Sequence, residues 1–149
     1  MNVVTAYLAP QEEPYVLHNR EEIEQWVRQA LDTSQPEDPH AATVYVVEDG
    51  DEQAPPGHEV VIGFDPTRRA CALSYSGLDP ERPEGDHGFW YSVDVRVPPL
   101  DVIVEYSVWG DPSPFPSNAG VPEGSAVDAL AELLERAGAR PQSVHWQTG

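Results

Sequence analysis

The chain of 149 residues is 40% apolar, enough for a single core, and is expected to form one domain over 1–149. Twenty-six acidic side chains against eight basic ones leave a formal charge of −18; such a surface repels phosphate backbones, argues against direct nucleic-acid binding and attracts a basic partner. The one cysteine, Cys71, excludes a disulfide framework, no apolar run reaches the roughly 18 residues of a membrane helix, and no charged, apolar leader opens the chain, so a soluble, unexported cytoplasmic protein is expected.

In chain order, 3–8 reads as a strand broken at Ala9-Pro10, and 15–17 as a short extended piece. Asn19 is a good helix N-cap, and Glu22 three positions on completes a capping-box-like pair. Ile23, Trp26, Val27, Ala30 and Leu31 then fall on one helical face. Burying Ile23, Trp26 and Leu31 contributes roughly 1.5–3 kcal/mol each. The polar stretch 32–40, with Pro36 and Pro39, stops this helix. Strand patterns follow at 42–47, 59–64, 70–75 and 89–93, separated by turn signals such as Pro55-Pro56-Gly57 and Asp65-Pro66, and by an acidic loop at 77–86. Their spacing suits an antiparallel meander.

Another strand pattern, 102–108, runs into Trp109-Gly110-Asp111 and a proline-rich crossing centred on Phe115-Pro116. A second amphipathic helix starts at Pro122, presents Val127, Leu130, Leu133, Leu134 and Ala137, and ends at Gly138. Arg140-Pro141 leads to a last strand, 143–147, carrying Val144 and Trp146. The order predicts an α+β fold, a mainly antiparallel sheet with both helices on one face.

Period-two alternation then divides the strands. Val102, Val104, Tyr106 and Val108 are expected to face inward, with Ile103, Glu105, Ser107 and Trp109 outward. Placing Phe89, Tyr91, Val93 and Val95 inward sends Trp90, Ser92 and Asp94 outward. An uncovered sheet face with Trp90 and Trp109 among the carboxylates Asp86, Asp94 and Glu105 is a candidate partner-binding surface. The competing expectation is that loops or the proline-rich crossing cover the tryptophans as a second small core.

No residue pattern points to catalysis or a metal. His18, His40, His58, His87 and His145 are scattered and form no zinc-site spacing. Cys71 has small, apolar neighbours and reads as a packing thiol. No glycine pattern fits a phosphate cradle, so no cofactor is expected and an enzymatic role is disfavoured.

Two stretches resemble the type-one immunity family of bacterial polymorphic toxin systems. One is Gly88-Phe89-Trp90-Tyr91-Ser92-Val93, similar to the family's Gly-x-Trp-Tyr-Ser strand; the other runs from Phe115-Pro116 through Arg140-Pro141 to Val144-x-Trp146-Gln147. Ala139 between Gly138 and Arg140, and the long 77–86 loop, depart from the pattern. The resemblance implies a non-enzymatic antidote that binds a cognate toxin domain, often a nucleic-acid deaminase, and blocks its active site. An acidic adaptor module without a toxin partner is the alternative, since one fold serves many functions.

Overall fold

The computed structural model describes residues 1–8, 13–48, 57–82, 85–101, 103–108 and 111–149, with backbone alone at 106–108 and 111–112. The main sheet is antiparallel, in the order β10-β6-β5-β4-β3-β1-β2. Its strands are β1 (Asn2–Leu8), β2 (Tyr15–Leu17), β3 (Ala41–Glu48), β4 (Glu59–Asp65), β5 (Ala70–Leu78), β6 (His87–Val93) and β10 (His145–Thr148). Strand β9 (Gly120–Pro122) pairs with β5 at 70–72, next to the stretch that β6 pairs at 74–78. Strands β7 (Glu105–Val108) and β8 (Asp111–Pro114) form a separate hairpin.

Both helices lie on one face of the sheet. α1 (Arg20–Thr33) begins where the Asn19 side chain accepts the Glu22 amide at 2.9 Å. The Glu22 carboxylate reaches back to the His18 amide, one residue beyond the usual capping box. α1 buries Ile23, Trp26, Val27, Ala30 and Leu31, the set expected from periodicity. α2 (Glu123–Glu135) buries Val127, Leu130 and Leu133 together with Ala126, Ala129 and Ala131. Ala137, expected on that face, is exposed: it and Gly138 have φ of 54° and 93°, beyond the helix end. Arg69 joins the helices, bonding Asp32 at the end of α1 and Glu123 at the start of α2. With Val4, Val44, Ile62, Phe64 and Leu73 the helices close the main core.

The second face is strapped at β4, β5 and β6. Val104, Phe115 and Ala119 pack on Val61 and Ala72, with Phe89, Tyr91 and Leu100 against them. Gly63 makes this possible, since a Cβ there would collide with Val104 and lie 2.9 Å from the Phe115 ring. The strap is tied to the sheet by the buried Asp65, which accepts the amides of Thr67 and Arg68 in its own turn and of Asp101 at 2.8 Å.

Two expectations are corrected here. The 102–108 pattern does not enter the main sheet: among the described residues β7 pairs only with β8, and Val104 faces the strap cluster, away from the helices; Val102 lies outside the described residues. The flanking prolines explain this, because Pro98, Pro99, Pro112 and Pro114 have no N–H to donate to a central ladder. Trp90, expected outward, is 8% exposed and belongs to the helix-side core, while Phe89 and Tyr91 face the strap. The register pairs Trp90 with Tyr75, which shares its face with Cys71 and Leu73. Both faces of β6 are covered, so alternation divides its residues into two sets without telling which set meets the helices.

Candidate functional site

The motif residues meet at one end of the sheet, where β6, β10 and the turn after α2 converge. The rings of Trp90 and Trp146 each lie about 6 Å from Tyr75. The Tyr75 hydroxyl donates to the Gly138 carbonyl at 2.7 Å, and the Trp146 indole N–H donates to the Pro141 carbonyl at 2.7 Å. These bonds fix the 138–141 turn over the aromatic group. Arg140 lies across Trp90, its guanidinium carbon 4.6 Å from the ring centroid. A cleft of about 370 Å³ opens beside them, lined also by Glu81, Val144 and His145.

Ser92 and Gln147 complete the frame. The fully buried Ser92 hydroxyl accepts the Leu73 amide at 2.9 Å and donates to the Ala119 carbonyl at 2.7 Å. It therefore splices β5 to the segment entering β9 where the pairing with β6 gives way to that with β9. The Gln147 side chain donates to the Ser92 carbonyl and to Asn118, clamping β10 to the same junction. Asn118 belongs to the 3-10 turn at Ser117–Ala119.

Among the residues expected to bind a partner, Asp86 and Glu105 are exposed. Asp86 closes the β5–β6 loop, its carbonyl accepting the Asp79 amide, with Arg82 3.9 Å from its carboxylate. Asp94 is already engaged: Arg96 holds it by a two-pronged contact and a backbone N–H, which depress its pKa to about 2. Trp90 lines the cleft with an edge but is otherwise core. Trp109 lies outside the described residues. Of the four described positions, Trp90 belongs to the helix-side core, so they do not form one uncovered sheet face with Trp90 at its centre.

On the β1–β3 part of the second face, the half-buried rings of Tyr7 and Tyr45 stack edge to face at 6.2 Å. Glu59 lies close enough to Tyr45 to help raise its phenol pKa, after burial, and burial raises the pKa of Glu59 itself. Across the sheet, His58 accepts the Val46 amide at 2.9 Å through Nε2, and burial lowers its pKa below the ordinary value. Cys71 is fully buried, which pushes its thiol pKa strongly upward and removes it from nucleophilic chemistry at neutral pH. Among the described residues no group of His, Cys, Asp and Glu is arranged to hold a metal. No described helix is long and apolar enough to cross a membrane.

In the sequence Arg140 stands out as part of the Arg140-Pro141 turn within the family-like stretch. A second signal was present: it is the one arginine of the eight with no acidic residue within four positions along the chain.

The helix-covered sheet, the strapped second face and the negative charge define a small acidic α+β protein whose motif residues mainly build its frame. The family model described as Immunity protein Imm1 matches residues 11–148, and the chain belongs to the Imm1 immunity protein family. An immunity function follows, that of a partner to a cognate toxin protein. No curated protein matches the chain.

Proposed function

We propose that this Imm1 member binds its cognate toxin in the cytoplasm as one preformed acidic domain and inhibits it without catalysis, by occluding the active site. The toxin we infer is a nucleic-acid-targeting enzyme of the deaminase type. Such an enzyme needs a basic groove for its substrate and a pocket for an extruded base. The observation that carries this reading is the charge of −18, joined to family membership. Seven of the eight arginines form ion pairs within the chain, so little positive charge remains to offset the acids towards a partner.

Asp86 and Glu105, both exposed, are proposed to meet the toxin directly. Trp90 and Asp94 act indirectly, by shaping the cleft and the turn after β6, and Trp109 is retained as a candidate from its sequence position. Charges at the rim of an interface act mainly on encounter rate and partner choice, while buried anchors slow dissociation.

The test is co-expression with the product of a neighbouring gene that carries a toxin domain, followed by binding of the purified pair at several salt concentrations. Survival of the cells, co-purification and an association rate that falls with salt are expected. D86N and E105Q should each slow association and flatten its salt dependence while leaving thermal stability unchanged. A chain that neither protects nor binds would leave the acidic adaptor as the better reading.

A further inference from the structure

We propose that the cleft at Arg140 is a seat for a carboxylate, an Asp or Glu side chain of the bound toxin, and that this contact sets the register of the complex. The assignment rests on the toxin-inhibitor reading above. Arg140 is the one arginine among the described residues that forms no ion pair, in a chain with 26 acidic side chains. Its Nε is buried without a hydrogen-bond acceptor. Stacking on Trp90 satisfies only the face of the guanidinium; its Nη groups are not buried as Nε is and have no acceptor within the described residues, and a planar carboxylate matches that pair of donors.

The surroundings favour that ligand over a neutral one. Trp90 and Trp146 line one side of the cleft with apolar ring surface, and a charge contact made against such a wall is less screened than one in open water. Pro141 and Trp146 satisfy each other, so the turn that carries Arg140 is fixed before a partner arrives. Glu81 also lines the cleft, and among the described residues no ion pair joins it to Arg140.

The consequence is selectivity. A toxin carboxylate facing most of this surface meets like charge, which is costly, whereas at Arg140 it meets a cation in an aromatic frame. One site of reversed sign on an acidic protein therefore discriminates partners and alignments more than it adds attraction.

The first experiment needs no toxin. Labelled protein is titrated with sodium acetate and, separately, with sodium chloride at equal ionic strength, following the Arg140 Nε–H and the Trp90 and Trp146 indole N–H signals by NMR. Acetate is expected to shift all three saturably and chloride to leave them nearly unmoved. R140Q should abolish the response; R140K, which keeps the charge and spares the fold, should weaken it; E81Q should keep it. Equal shifts with both salts, or an acetate response that survives in R140Q, overturns the carboxylate seat. In the second experiment R140Q should bind the toxin at least about tenfold more weakly, chiefly through faster dissociation. Unchanged affinity in R140Q overturns this assignment alone, whereas failure of the unmodified protein to bind the toxin overturns the reading on which it rests.

Discussion

Ser92→Ala removes one oxygen and tests how the sheet is joined at its most crowded point. The hydroxyl is fully buried and serves the Leu73 amide at 2.9 Å and the Ala119 carbonyl at 2.7 Å. Alanine leaves a donor and an acceptor in the interior without that partner. An unsatisfied buried group costs about 1–3 kcal/mol, the carbonyl somewhat less than the amide, so a loss of about 2–4 kcal/mol is expected. For a chain of this length that lowers the melting temperature by roughly 5–15 °C. Thermal and urea unfolding measure the loss, with exposed Ser143→Ala as a control expected to stay within about 0.5 kcal/mol. Hydrogen exchange locates it: the Leu73 amide should lose protection first, followed by the amides of β9 that pair with β5. A melting point within about 2 °C of the unmodified protein, or an unchanged Leu73 exchange rate, refutes the claim that this hydroxyl holds the junction.

Three further predictions concern the layers on either side of the sheet. Trp90→Ala should cost about 3–5 kcal/mol, because the indole fills the helix-side core beneath Arg140; a variant that unfolds at the same urea concentration as the unmodified protein would place that side chain at the surface. Gly63→Ala should cost about 1–3 kcal/mol by driving a methyl into Val104 and Phe115. A double-mutant cycle checks this cause, since the cost should shrink in a Val104→Ala background, where the tightest clash is relieved, and equal costs in both backgrounds would show that the strap does not rest on Gly63. His58 accepts a backbone amide and is held neutral by burial, so its folded pKa lies below the ordinary 6.5. Below about 6.5 the unfolded chain binds a proton that the folded chain refuses. The contribution of this group is therefore present above that pH and lost as the pH falls through the folded value. An NMR titration of the imidazole with a midpoint at or above 6.5 would contradict the burial.

Much of the local structure was legible in the residues. The face of α1 was read correctly from Ile23, Trp26, Val27, Ala30 and Leu31, because a helix with one wet side spaces its apolar residues by the turn. Pro122 marked the start of α2, whereas Gly138 stands three residues past its last residue, Glu135; the resemblance read from Trp90-Tyr91-Ser92 and Val144-x-Trp146-Gln147 agrees with the family match over 11–148. The sidedness of β6 was not legible. With helices on one face and the strap on the other, Trp90 and Tyr91 both border apolar matter, and a period of two has no preferred phase.

The candidate site divides along the same line. Local sequence exposed the acids Asp86 and Glu105, since exposed carboxylates in loops and short strands need no distant partner, and it isolated Arg140 from every nearby acid. The placement of Arg140 over Trp90, 50 positions earlier, beside Trp146 and within reach of the β5–β6 loop, is an outcome of strand pairing across the sheet. Composition and periodicity act over a few residues and set charge, caps and helix faces. Which side of a strand meets which layer, and which cation is left without a counter-ion, depends on chain segments that meet only when the whole sheet closes.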